Sequence, residues 1–284
     1  MRMIPMSKEV INVLFAIDDQ FVWQMMTTLL SAKTNTPGRT IKAFVISKEP
    51  LEKERDLLRF GDSIDVEIEP IYVGTEAFEK APVTKRWPES IYYRLLAHNY
   101  LPDNLSRILY LDADILVIND LSDLYDMDMK GHMYVASQHS AFQKFTDNIN
   151  KVRLNNYDMN GYFNSGVILM DLNKKCEIVR EEDIIEYISA HHRNLLLPDQ
   201  DVLNGMYSQY TLSVPERIYN YDTRYPVYYE ATTFGAFDLE TVIQKTVILH
   251  FCGKEKPWFS GYTARFSALY KHYWFKAQHI LETR

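Results

Sequence analysis

Glycine is scarce in this chain, with 10 among 284 residues, and no two of them stand as Gly-x-Gly. The dinucleotide fingerprint, whose glycines let the backbone approach a pyrophosphate, is therefore missing, and NAD or FAD binding of that kind is excluded. No Gly-x-x-x-x-Gly-Lys-Ser/Thr cradle or Gly-x-Ser-x-Gly elbow occurs, which removes the P-loop NTPases and the hydrolases built on that nucleophile. Cysteine is scarcer still: Cys176 and Cys252 stand far apart and outside any CxxC or Cys/His cluster. They read as free or buried thiols in a reducing, cytoplasmic compartment. No stretch approaches the ~18 apolar residues that would cross a bilayer. Basic residues are outnumbered, 31 Lys and Arg against 38 Asp and Glu for a net charge of −7, so the chain has no electrostatic footprint for nucleic acid. A small phosphate-bearing ligand stays open, because a bound divalent cation supplies positive charge locally.

What is present is an alternation of strand-like and helix-like segments. Val10 to Ala16 is β-branched and apolar, and it ends in Asp18-Asp19 without a small-residue cleavage site, so it reads as a first strand rather than a signal peptide. Residues 20–33 carry Phe21, Met25, Thr28, Leu29 and Ala32 at helical spacing. Strands are expected over 41–47, 66–72, 107–111, 165–171 and 247–250, with helices over 50–59, 90–100, 177–190 and 263–282. This is the rhythm of an α/β fold: a Rossmann-like, open, mostly parallel sheet flanked by helices. No linker divides it. One domain is expected, with residues 8–136 as a nucleotide-binding half, 137–262 as a smaller antiparallel and loop-rich acceptor side, and 263–284 as a closing helix. That helix carries Phe266, Leu269, Tyr270, Tyr273, Trp274, Ala277 and Ile280 on one face, which is expected to dock on the core, with weak peripheral membrane contact as the alternative role.

Asp-x-Asp occurs three times, at Asp112/Asp114, Asp126/Asp128 and Asp199/Asp201. Only the first pair follows directly on a buried-type strand, which places two carboxylates at the C-terminal end of a sheet, where open α/β folds bind ligands. Such a pair suits a hard divalent ion; a solvated strand-end turn is the other reading. His250-Phe251-Cys252-Gly253-Lys254-Glu255-Lys256-Pro257-Trp258 sets an imidazole at a strand end before a loop with two lysines. Imidazole beside carboxylates suits Mn²⁺ over Mg²⁺, with Mg²⁺ as the alternative.

Six segments occur in one order: Phe15 to Asp19, Tyr93-Arg94-Leu95, Leu109 to Asp114, Phe163 to Val167, Asp199-Gln200-Asp201 with Asn204, and His250 to Trp258. This ordered set resembles glycosyltransferase family 8, the retaining sugar-nucleotide transferases of GT-A fold that include bacterial lipopolysaccharide galactosyl- and glucosyltransferases. The resemblance implies a UDP-sugar donor, UDP-glucose or UDP-galactose, bound with Mn²⁺ on Asp112, Asp114 and His250. It implies that Asp18, Phe21 and the Ala16 backbone hold uridine, with Gln20 standing where relatives carry Asn, and that Ala113 lines the nucleotide. Arg94, Asn164, Asp199 and Gln200 would surround the donor sugar, and Gly253 with Lys256 would grip the diphosphate. Gln200, Asp199, Arg94 and Lys256 are thus the implied catalytic set. Asp199 also reads, on its own, as a helix N-cap.

The acceptor, a glycan or glycolipid, is expected against 137–162, where His139 departs from relatives, and against the aromatic stretch Tyr219 to Tyr229. Two rivals remain at this stage. A haloacid-dehalogenase-like phosphatase would use Asp112 as nucleophile, and a non-catalytic protein would only bind the sugar nucleotide.

Overall fold

The computed structural model describes residues 10–74, 90–138, 150–191 and 193–283. The residues before Val10, and residues 139–149 of the expected acceptor segment with His139 among them, lie outside the described residues.

Seven strands form the main sheet in the order β3-β2-β1-β4-β7-β6-β8. They are β1 (Val10–Ala16), β2 (Thr40–Ser47), β3 (Glu67–Tyr72), β4 (Arg107–Leu111), β6 (Tyr134–Gln138), β7 (Phe163–Asp171) and β8 (Thr211–Val214). β1, β2, β3 and β4 run parallel, β7 runs antiparallel to β4 and β6, and β6 pairs parallel with β8. A second sheet of three short strands, β5 (Ile115–Val117), β10 (Ile248–His250) and β9 (Tyr221–Asp222), lies in that order. The helices that bear on the site and its packing are α1 (Val22–Asn35), α2 (Glu54–Ser63), α3 (Ser90–Leu95), α4 (Leu172–Ile178), α5 (Glu181–His191), α6 (Pro198–Tyr207) and α7 (Ser267–Glu282).

Strand side chains alternate between faces, so a sheet covered on both sides needs apolar residues at every position. β1 meets this with Ile11, Val13 and Phe15 in one core and Leu14 in the other; β4 splits Leu109 and Leu111 from Ile108 and Tyr110 in the same way. The chain runs outward from β1 through β2 to β3 and returns to β4 on the other side of β1. The crevice at the C-terminal ends of β1 and β4 is the switch point at which such sheets bind ligands.

Several boundaries differ from expectation. The helix expected over 90–100 ends at Leu95, and a separate 3₁₀ turn, Ala97–Asn99, follows. The helix expected over 177–190 lies at Glu181–His191, and residues 177 and 178 instead end a separate helix, α4, which Asp171 caps by accepting the Lys174 N–H and after which the chain extends at Val179. The helix expected over 50–59 lies at Glu54–Ser63. The closing helix starts at Ser267 and docks on the core as expected, burying Tyr270, Tyr273 and Ala277; the Tyr273 hydroxyl is 2.9 Å from Asn35 Nδ2 of α1. Among the described residues, no helix is long and apolar enough to cross a membrane.

Candidate active site

The turn after β4 carries Asp112 and Asp114, and three neighbours hold its backbone. The Asp112 N–H donates to the Gly166 carbonyl of β7 (2.8 Å), and the Phe251 N–H donates to the Asp114 carbonyl (2.9 Å). The Thr28 hydroxyl of α1 lies 3.0 Å from the Ala113 carbonyl and 2.7 Å from that of Ile115. β10 pairs antiparallel with β5, setting His250 opposite Ile115. Two carboxylates and one imidazole, separated by up to 138 residues, therefore meet: His250 Nε2 is 3.1 Å from Asp114 Oδ1 and 3.9 Å from Asp112 Oδ2. One donor atom from each lies within 4.8 Å of the others.

Whether these residues suit a cation depends on which imidazole nitrogen faces the carboxylates. The Gly166 N–H, which can only donate, bonds Asn164 Oδ1 (2.9 Å), and Asn220 Nδ2 donates to that same oxygen (2.8 Å). Asn220 Oδ1 is thereby turned toward His250 Nδ1, 2.8 Å away. Nδ1 carries the proton of that bond, so Nε2 is the nitrogen presented to Asp112 and Asp114, and it would release its own proton on binding a cation. The space is also reserved: a Cβ at Gly166 would stand 2.6 Å from Asp112 Oδ2 and against His250 Cε1. The donor set and its orientation fit a divalent cation that accepts nitrogen and oxygen ligands.

The charges are strongly coupled. Burial works against ionisation of Asp114, but His250 and Lys256 outweigh it and hold this carboxylate below its usual range. Burial raises Asp112, which Arg94 partly offsets, while the adjacent Asp114 adds to the rise. Burial works against charging His250, yet Cys252 and Asp114 keep it well above its ordinary value. Lys256 Nζ lies 2.5 Å from Asp114 Oδ2 and donates to the Phe251 carbonyl (2.9 Å).

Arg94 joins the carboxylates to α6. Its guanidinium contacts Asp112 Oδ1 (3.1 Å) and Asp199 Oδ2 (2.7 Å), bonds the Ser165 carbonyl (3.1 Å), and stacks 4.6 Å from the centre of the Tyr110 ring. Tyr110 donates its hydroxyl to Asp112 Oδ1 at 2.8 Å. Asn164 Nδ2 reaches Gln200 Oε1 at 3.4 Å, and Gln200 Nε2 is buried without an acceptor.

A cleft of about 820 Å³ opens beside this cluster. Ala16, Asp18, Phe21, Arg94, Asp112, Ala113, Asp114 and Lys256 line it, together with Ser47 at the end of β2 and residues 48–52 after it. Phe21 is 37% exposed, and its ring meets Trp258 edge-on. Asp199 adjoins the cleft through Arg94 and His250 through Asp112, whereas Asn164 and Gln200, 3.4 Å apart, are buried and do not line it. Gln20 and Gly253 do not line it: Gln20 is exposed, with its N–H on Asp18 Oδ1, and Gly253 sits at φ 89° on an exposed loop beside Arg224.

Asp199 is not the N-cap of α6. Leu197 holds that position and Pro198 occupies the first turn, so the Asp199 carboxylate is left for Ser165 Oγ (2.8 Å) and Arg94. The other Asp-x-Asp pairs have structural work: Asp126 binds Arg39 through both oxygens, Asp128 accepts the Lys130 N–H, and Asp201 is buried against Arg153. Tyr110, Gly166 and Asn220 belong to the site as well: the first two lie in the ordered segments and the third in the expected acceptor stretch, but the sequence assigned none of them these contacts. Nothing local to Asn220 marks a residue that orients His250, 30 positions away.

The family model described as Glycosyl transferase family 8 matches residues 12–261. Among curated proteins, General stress protein A of Bacillus subtilis is 28% identical over 277 residues, 93% of this chain and 93% of that protein. The lipopolysaccharide 1,2-glucosyltransferase of Escherichia coli K12 is 25% identical over 256 residues, 89% of this chain and 74% of that protein. Among solved structures, the galactosyltransferase LgtC in complex with donor and acceptor sugar analogues superposes with a TM-score of 0.77 at 23% identity, covering 94% of this chain and 96% of that one.

Proposed function

Because this chain belongs to glycosyltransferase family 8, we propose that it is a retaining hexosyltransferase that moves glucose or galactose from a UDP-sugar to a hydroxyl of a glycan or glycolipid, with Mn²⁺ or Mg²⁺ bound. The observation that carries the reading is the convergence of Asp112, Asp114 and His250 at the C-terminal end of β4, beside a cleft of nucleotide-sugar size. The family assignment displaces the phosphatase alternative.

Breaking the anomeric bond leaves negative charge on the departing diphosphate, and stabilising that charge is the main catalytic task. Asp112, Asp114 and His250 would hold the cation, which supplies electrostatic stabilisation of the leaving group. Lys256, on the same side of the cleft, donates to the diphosphate. Asp18 and Phe21 hold the uridine at the end of β1, and Arg94 fixes Asp199 and Asp112 around the sugar. Gln200 is an amide and a poor nucleophile. It favours attack by the acceptor hydroxyl from the leaving-group face over a covalent sugar-enzyme intermediate. The enzyme acts in the cytoplasm or at the inner face of the plasma membrane.

The deciding experiment incubates the protein with UDP-glucose and UDP-galactose, with Mn²⁺ and with EDTA, and reads UDP release. Metal-dependent release from one of the two is expected. UDP binding without release from either would leave a sugar-nucleotide binding protein in place of an enzyme.

A further inference from the structure

Lys175 is fully buried on α4, in the core beneath the sheet and away from the cleft. A lysine in that setting must find acceptors for every N–H it keeps. It finds them where α3 stops. In a continuing helix the Asn99 N–H would bond the Leu95 carbonyl, but it bonds the Leu96 carbonyl instead (2.9 Å), leaving Leu95 and Arg94 with helix-terminal carbonyls. Lys175 Nζ donates to the Leu95 carbonyl, lies 3.4 Å from the Arg94 carbonyl, and sits 3.2 Å from His98 Nδ1. Three acceptors match the three protons of an ammonium; a neutral amine can serve only two. A positive charge at a helix C-terminus is also the favourable sign for the helix dipole.

We propose that Lys175 is a positioning residue for the donor site: by capping α3 it fixes the backbone of Arg94, and so the guanidinium that bridges Asp112 and Asp199. The inference deepens the reading given above and rests on it for the meaning of turnover.

The groups facing the ammonium are few. His98 on the 3₁₀ turn is held down to about 3 by burial and by Lys175, so it stays neutral and able to accept. The Tyr134 ring of β6 lies 5.9 Å below the amine, and Tyr134 is itself raised by burial and the nearby Tyr207. Cys176 is the next residue and exposed. Burial lowers Lys175 to about 7, the nearby Cys176 opposing the shift, so the cap loses its third proton within an accessible pH range.

The test compares wild type with Lys175→Met, and with Lys175→Gln should the first not fold, using crystal structures and turnover of UDP-glucose and UDP-galactose. The variant's guanidinium is expected to leave Asp112 and Asp199. Turnover is expected to fall about 10- to 100-fold near pH 6, the ratio of wild type to variant shrinking as the pH is raised above about 7. Arg94 still bonded to both carboxylates in the variant overturns the inference. So does a ratio that is flat with pH, which a merely structural role would give. Should wild type turn over neither sugar nucleotide, the functional reading fails, and the position of Arg94 alone decides this one.

Discussion

Asn220 Oδ1 lies 2.8 Å from His250 Nδ1, and that bond selects the imidazole nitrogen presented to Asp112 and Asp114. A residue of the short segment before β9 thus orients an imidazole on β10 without lining the cleft. Removing such an outer partner typically lowers metal affinity by ~10- to 100-fold. Asn220→Ala is expected to weaken Mn²⁺ binding by that factor, measured by calorimetry, with excess Mn²⁺ restoring turnover. Unchanged affinity would mean that the His250 tautomer is set elsewhere.

Lys256 Nζ is 2.5 Å from Asp114 Oδ2, nearer than His250, and Lys256 lines the cleft. Loss of one well-placed donor to a developing charge costs ~10²–10³ in rate. Lys256→Ala is expected to reduce kcat by that amount while circular dichroism stays that of the wild type. A loss confined to KM would place Lys256 in ground-state binding instead.

The convergence of Asp112, Asp114 and His250 was legible in the sequence because the aspartates follow one short apolar strand and the histidine ends another, and strand ends of an open sheet converge by topology. The break after Leu95 was not. Residues 90–100 have helical spacing, and the group that fills the break is Lys175, 80 positions further on, whose amine takes the carbonyl that the next helical turn would have used. Asp199 was misread as a cap for a similar reason: local pattern ranks it well, but Pro198 already starts the helix and Arg94 draws the carboxylate inward. Distant partners decide these residues, and spacing carries no trace of them.

Asp201 is fully buried and collects five donors: both terminal nitrogens of Arg153 (2.7 Å each), the Tyr162 hydroxyl (2.5 Å) and the N–H groups of Leu196 (2.5 Å) and Leu197 (2.9 Å). It ties the start of α6 to the segment that enters β7. Removing one partner of such a pair strands a buried charge, at a cost of ~3–5 kcal/mol. Arg153→Met is expected to lower the unfolding free energy by about that much in urea titrations. A loss below ~1 kcal/mol would show that the neighbouring donors suffice for Asp201.

Burial lowers Lys175 to about 7 from its ordinary 10.5, and the sign of the consequence follows from proton counting. Between those values the unfolded chain holds the proton and the folded chain does not, so this group favours folding more as the pH rises through that window. Below about 7 both states are protonated, and the full cost of the buried charge is felt. Relative to wild type, Lys175→Met is therefore expected to be most stable near pH 6, and to lose that advantage at up to ~1.4 kcal/mol per pH unit as the pH climbs toward 10. Thermal or urea unfolding of the pair across that range measures it. Turnover is expected to move the opposite way, falling in wild type as the ammonium that caps α3 is lost. One side chain would then weaken the fold at the pH where it serves the site, and an unfolding difference that is flat with pH would show that Lys175 does not titrate there.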